Sequence, residues 1–204
     1  MGRTKKRKKS RKNKTKKVYD KDDFASGDGM LTSVWGPSLW HYLHTMSFNY
    51  PVKPTRKDKK HYKQFIMNLR NVLPCKYCRM NLRKNLKDLP LRDKDLKNRH
   101  NFSLWMFRLH EHINKMLGKK SGLSFKQVRE RYEHFRSRCT IDIDKKTNMI
   151  KIKPIKKKTR KKRKKEKGCV EPLYGKKSKC VIKIVPKDKK VPTFQMDDRC
   201  KKKR

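Results

Sequence analysis

The chain has 204 residues, with 63 Lys and Arg against 18 Asp and Glu, a formal net charge of +45, and 40% charged against 33% hydrophobic residues. No uninterrupted apolar run approaches the ~20 residues of a membrane-spanning helix, and the basic start at Gly2-Arg3-Thr4-Lys5-Lys6-Arg7 has no apolar stretch behind it, so neither a transmembrane segment nor a classical secretory signal is expected. Apolar residues concentrate between Leu31 and Phe135, enough for one small domain. The expected organisation is a disordered basic arm and linker over residues 1–30, a folded domain over 31–140, and a basic, mostly disordered tail over 141–204 that cannot offset its ordering entropy.

Arg3 to Lys17 is a nearly continuous basic run, and Tyr19 to Gly29 is an acidic, glycine-containing connector. Gly36-Pro37 reads as a helix start, with proline at the first helical position. Leu39, Trp40, Leu43, His44 and Ser47 then share one helical face, and Asn49-Tyr50-Pro51 closes it. Thr55 is placed to cap a second helix, in which Tyr62, Phe65, Ile66, Leu69, Val72 and Leu73 keep the 3.6-residue period. Pro74 interrupts it and opens a third helix with Cys75 and Cys78 in its first turn and Leu82, Leu86 and Leu89 along its apolar edge. A polar, charged connector runs from Pro90 to Arg99. Phe102, Trp105, Met106, Leu109, Ile113, Met116 and Leu117 form the strongest stripe in the chain, stopped near Gly118. Ser124 and Gln127 have capping-box spacing, followed by Val128, Tyr132 and Phe135 on a short last helix. No strand pattern interrupts the core. These elements predict an all-α fold, a four-helix bundle with a short fifth helix, flanked by disordered basic tails. Beyond Asp142, Thr147 to Ile155 alternates weakly enough for a transient strand, Lys156 to Lys167 is a second basic run, and Cys169, Cys180 and Cys200 follow it.

Chemistry concentrates at Cys75-Lys76-Tyr77-Cys78. Two thiols separated by two residues form a reversible disulfide, half of a metal site, or a buried structural pair. A helix N-terminus favours the thiolate, and Lys76 and Arg79 add positive charge, so at least one thiol is expected below its ordinary pKa of about 8.5. Zinc needs four ligands. His110-Glu111-His112 offers two imidazoles that point in different directions, and the other cysteines are single and widely spaced, so no metal site is predicted. A thioredoxin-type site lacks its βαβ surroundings. Trp40 and His44 are four apart on one predicted helix, His110 and Asn114 four apart on another. Imidazole and amide there could bond a ribose or a base edge, and Trp35, Trp40 and Tyr132 could stack on a flat ring.

Trp35-Gly36-Pro37-Ser38-Leu39-Trp40, Leu43-His44-Thr45 and Tyr50-Pro51 resemble the opening of the Erv/ALR flavin-dependent sulfhydryl oxidases. Leu73-Pro74-Cys75-Lys76-Tyr77-Cys78 with Leu82-Arg83 is similar to that family's catalytic segment. His110-Glu111-His112-Ile113-Asn114 with Leu117-Gly118-Lys119 is similar to its His-Asn-x-Val-Asn…Leu-Gly-Lys segment. The resemblance spans Thr32 to Cys139. It implies FAD as cofactor, contacted by Trp40, His44, His110, Asn114 and Lys119, with Trp35 and Tyr132 as aromatic surface. It implies Cys75 and Cys78 as the catalytic pair, Cys75 attacked by an incoming thiolate and Cys78 nearest the isoalloxazine, with electrons passing from protein thiols to dioxygen to give hydrogen peroxide. Glu111 departs from the family asparagine, and Tyr132 occupies a common tryptophan position. Cys139 resembles one member of a structural disulfide whose usual partner is replaced near Phe125. The resemblance also implies a shuttle pair, for which Cys169 and Cys180 are the candidates and Cys200 an alternative partner. It further implies a homodimer, which the apolar content allows without demanding.

Lysine tracts at both ends attract polyanions through counterion release, so nonspecific nucleic acid is an expected partner, beside anionic membrane and an import receptor. The lysine-rich flanks and compact core look most like family versions carried by large DNA viruses of eukaryotes, and for a viral protein the resemblance implies the host cytoplasm at the viral factory, or the virion. The competing function class is a basic nucleic-acid-binding protein whose cysteines hold structural zinc or form a structural pair.

Overall fold

The computed structural model describes residues 21–138, 169, 171–173, 176, 177, 185 and 199. Six helices follow in order: α1 (Lys21–Ala25), α2 (Thr32–Phe48), α3 (Arg56–Val72), α4 (Lys76–Asp88), α5 (Arg99–Met116) and α6 (Phe125–Glu133). A two-residue antiparallel ladder joins β1 (Ser137–Arg138) to β2 (Glu171–Pro172). The fold is all-α. The basic runs at Arg3–Lys17 and Lys156–Lys167, the weak alternation at Thr147–Ile155, and Cys139, Cys180 and Cys200 lie outside the described residues.

Helices α2 and α5 run antiparallel and form the principal pairing. Tyr50, just past α2, meets Phe102 near the start of α5 at 4.9 Å between ring centroids, while His44 meets His110 further along at 5.2 Å. Helices α3 and α4 pack beside them, and α6 lies on α2. Leu43, Ile66, Leu69, Leu82, Leu86, Phe102, Trp105, Met106 and Leu109 fill the centre. The expected caps form. Thr55 and Asp58 close a reciprocal capping box on α3, Ser124 and Gln127 close another on α6, and Gly118 takes φ +65° just past the C-cap of α5.

Three features differ from the sequence reading. Pro37 is not at the first helical position; α2 begins at Thr32, and the proline sits inside it. Proline normally drives its predecessor out of the helical region through a clash with that residue's Cβ. The predecessor here is Gly36, which has none, so the helix runs through at the cost of one backbone hydrogen bond. The Tyr19–Gly29 connector, read as a linker without assigned structure, contains α1, whose Asp22 and Asp23 sit in the first turn where the helix dipole favours them. The charged connector from Pro90 to Arg99 plugs the core. Leu91 and Leu96 are buried, Tyr50 Oη donates to Leu96 O at 3.0 Å, and Arg99 Nε donates to Tyr50 O at 2.6 Å. Helix α5 accordingly begins at Arg99, capped by Asn98, whose side chain accepts from Asn101 N at 2.9 Å.

Candidate active site

Cys75 is the N-cap of α4. Its extended backbone (φ −158°, ψ 121°) turns the side chain over the first turn, where Sγ accepts from Cys78 N at 3.2 Å. Both cysteines are reduced thiols. Cys78 packs against the hydrophobic core, and its Sγ lies 3.6 Å from Thr32 Oγ1 at the start of α2. The two thiols are driven apart. The hydrogen bond from the Cys78 thiol, helped by the Cys78 amide and the Thr32 hydroxyl, holds Cys75 below the usual thiol range against its partial burial. Burial pushes Cys78 up, and its bond to Cys75 adds to this, while the Thr32 hydroxyl pulls the other way. The lowering at Cys75 is thus the work of hydrogen bonds rather than of the cations expected from the sequence. Arg79 is turned back onto Leu73 O at 2.6 Å.

The segment before α2 lies across this loop. Met30 N donates to Pro74 O at 2.7 Å, and Lys76 N donates to Asp28 O at 3.1 Å. Gly29 bridges Cys75 in antiparallel fashion. Trp35, a candidate aromatic surface, donates from Nε1 to Met30 O at 3.0 Å and so braces this segment.

Along the α2–α5 seam, the structure brings together Trp40, His44 and His110. Trp40 and His110 are stacked with centroids 3.9 Å apart and planes 6° apart, and His44 Nε2 meets His110 Nδ1 at 3.0 Å. Tyr132 also stacks against His44 at 5.2 Å and places its hydroxyl 3.4 Å from His41 Nδ1. Burial takes the His44 pKa down to about 3, with the His110 and His41 imidazoles adding to the shift. Burial likewise takes His110 down to about 4, Glu111 opposing and Lys119 assisting. Tyr132 is pushed up to about 12 by burial. At neutral pH these rings carry no charge. His44 Nδ1 is buried with no hydrogen-bond partner among the described residues.

Asn114 lies one turn beyond His110. Glu111, the departure from the family pattern, accepts from Asn114 Nδ2 at 3.0 Å and fixes its amide. Lys119 is exposed, tied to Asn114 by its own backbone N–H at 2.8 Å. Because α5 is antiparallel to α2, this turn returns beside the beginning of α2. Thr32 and Trp40 are separated by eight residues of α2, about 12 Å at 1.5 Å per residue, so the dithiol and the uncharged rings lie along one helix. His112 faces away, its Nε2 3.7 Å from Asp88. Among the described residues, no group of three or more His, Cys, Asp or Glu side chains could hold a metal ion. Cys169 is exposed, and its candidate partner Cys180 lies outside the described residues. Phe125, where the family's disulfide partner is replaced, packs its ring against Phe48 and Phe107 at 6.1 and 5.7 Å.

A model of the Erv1 / Alr family matches residues 37–133. The FAD-linked sulfhydryl oxidase of African swine fever virus (isolate Pig/Kenya/KEN-50/1950) is 34% identical over 99 residues, covering 48% of this chain and 80% of that protein. The chain belongs to the Erv1/Alr family. A second relative, the probable FAD-linked sulfhydryl oxidase R368 of Acanthamoeba polyphaga mimivirus, is 37% identical over 91 residues, 45% of this chain and 64% of the relative's own length. The FAD binding domain of Erv1 from Saccharomyces cerevisiae is 26% identical, with a TM-score of 0.46 over 50% of this chain and 94% of that one.

Sequence reasoning missed Thr32, His41 and the Asp28–Met30 segment. His41 lies one residue past Trp40 and off the marked face, and no periodicity points to it. Thr32 and Gly29 precede the family match and carry no motif. Only the long-range pairing with the Cys75 loop reveals them.

Proposed function

We propose that the chain is a FAD-dependent sulfhydryl oxidase that forms disulfides in thiol-containing proteins and passes the electrons to dioxygen, giving hydrogen peroxide. The observation that carries the reading is the asymmetric dithiol at the N-terminus of α4, with Cys75 held below and Cys78 above the ordinary thiol pKa, in a chain of the Erv1/Alr family.

The α2–α5 seam fits the cofactor. Trp40 and His110 touch face to face, and with His44 and Tyr132 they are the residues that would hold a flat ring. Their neutrality, with His44 Nδ1 left over, favours an uncharged heteroaromatic group with its own hydrogen-bonding edge. Asn114 offers an amide and Lys119 a cation for the polar, phosphate-bearing part. Trp35 and Tyr132 add aromatic surface. Bound FAD supplies a two-electron acceptor that reoxidises the dithiol and is itself reoxidised by dioxygen.

The protein's own residues carry the thiol chemistry. In the oxidised pair, a substrate thiolate attacks Cys75 Sγ, the S–S bond breaks, and its electron pair leaves on Cys78 Sγ. A second substrate thiolate then attacks the mixed disulfide at the substrate sulfur and expels Cys75, whose stabilised thiolate makes it the better leaving group. The substrate is left with one disulfide and the protein with a reduced pair. Cys78 faces the core and Cys75 does not, which supports Cys75 as the outer sulfur.

The test is a visible spectrum and an oxygen electrode. Protein expressed with ample riboflavin is expected to be yellow and to consume oxygen with dithiothreitol, while Cys78→Ser keeps the flavin and loses turnover. Colourless protein, or normal oxygen consumption by Cys78→Ser, would refute the assignment.

A further inference from the structure

The thiol exchange above requires Cys78 to leave as a thiolate, yet Cys78 is the sulfur of the pair that packs against the hydrophobic core. A thiolate there needs a hydrogen-bond donor that does not depend on solvent. Among the described residues, the side-chain oxygen in hydrogen-bond contact with Cys78 Sγ is Thr32 Oγ1, at 3.6 Å.

Thr32 reaches that place through a chain of backbone contacts. Gly29 has φ +112°, and a Cβ there would lie 2.5 Å from Pro74 O and 2.7 Å from Cys75 Cα, so only glycine lets the chain come this close. The next residue, Met30, pairs with Pro74 O, and Lys76 N closes onto Asp28 O. Trp35 Nε1 grips Met30 O from one turn into α2. Between those two anchors, Leu31 begins α2 without a side-chain cap, and Thr32 is the first helical residue. Its hydroxyl therefore lies beside the sulfur that already sits in the first turn of α4. Residues 28–32 lie just ahead of residues 37–133, the part of the chain that the family model matches.

We propose that Asp28–Thr32 forms a strap that completes the dithiol site, and that Thr32 is a positioning residue whose hydroxyl donates a hydrogen bond to the Cys78 thiolate as it leaves. The step is the one written above: the substrate sulfur bonds to Cys75, the Cys75–Cys78 bond breaks, and the electron pair stays on Cys78 with no proton transferred. The hydroxyl keeps its proton and accepts none. The same bond holds Cys78 in its rotamer, ready for return to the disulfide. The role rests on the sulfhydryl oxidase reading, but its test does not.

The experiment is peptide-resolved alkylation of Cys78 by iodoacetamide as a function of pH, in the full chain with whatever flavin it carries, on a Cys75→Ser background that isolates the sulfur. Thr32→Val, which keeps the shape and removes the hydroxyl, is expected to slow alkylation at pH 7 by roughly threefold to tenfold by raising the Cys78 pKa. Thr32→Ser restores it. Gly29→Ala, which lifts the strap, is expected to reproduce Thr32→Val with helicity unchanged by circular dichroism. An unchanged Cys78 titration in Thr32→Val, or a Thr32→Ser as slow as Thr32→Val, overturns the role of the hydroxyl. A Gly29→Ala protein with an unaltered Cys78 overturns the strap. Alkylation reads the thiol directly, so a colourless protein would defeat the oxidase reading and leave this one measurable.

Discussion

At the scale of single residues, the site is defined by groups kept uncharged. His44 and His110 share a hydrogen bond at 3.0 Å and are both well below the usual imidazole value of 6.5, at about 3 and about 4. Burial is the leading cause in each, so neutrality is a property of the fold rather than of solution pH. The consequence for stability has a definite sign. Between pH 6.5 and about 4 the unfolded chain binds protons that the folded chain refuses, so stability is fully present above pH 6.5 and declines as acid approaches the folded values. At about 1.4 kcal/mol per pKa unit, the His44 shift alone carries roughly 4 kcal/mol across that window. Urea midpoints measured from pH 7 down to pH 4 are expected to fall, and to fall less steeply in His110→Phe, which removes one titrating ring and the charge facing His44. Parallel pH profiles for the two proteins would show that the imidazoles are not what acid attacks.

At the scale of elements, local physics and tertiary contact divide the structure between them. Helices α3, α5 and α6 were legible because their signals are local: apolar residues at 3.6 spacing, a Thr55–Asp58 or Ser124–Gln127 cap, a glycine free to take positive φ. Trp40 and His44 were legible as candidates for the same reason, and His110 through its four-residue spacing to Asn114 and the family resemblance. What the sequence did not reveal depends on distant partners. The start of α2 at Thr32 follows a segment whose Met30 N–H is held by Pro74 O, far along the chain. Leu96, in a segment that is charged on average, is fully buried because Tyr50 bonds its carbonyl. These two kinds of contribution differ in size. Ser124→Ala removes one capping acceptor from α6 and is expected to cost about 1 kcal/mol. Leu96→Ala leaves a cavity beneath the connector and is expected to cost roughly 2–5 kcal/mol. Denaturant titration of both variants checks the ranking, and a Leu96→Ala protein as stable as Ser124→Ala would mean that the connector collapses onto the void rather than plugging the core.

At the scale of the whole molecule, one short seam serves both the fold and the site. The α2–α5 pairing is the principal helix contact, and it is also where Trp40, His44, His110 and Asn114 lie. A ligand seated there bridges the two helices that hold the domain together, and it binds the folded chain alone. Mass action then adds stability as the logarithm of ligand concentration, about 2.7 kcal/mol at a hundredfold excess over Kd. The domain between Thr32 and Glu133 is small, and for one of about 100 residues each kcal/mol moves Tm by about 4–8 °C. Flavin stripped from the protein is therefore expected to lower Tm by about 10–20 °C, and readdition of FAD is expected to restore it in a concentration-dependent way. Trp40→Ala, which removes half of the stacked pair, is expected to shrink that gap far more than it lowers the Tm of the stripped protein. A gap unchanged in Trp40→Ala would place the flavin away from the seam, because a ring lying against Trp40 and His110 cannot lose one of them and keep the same hold on the folded state.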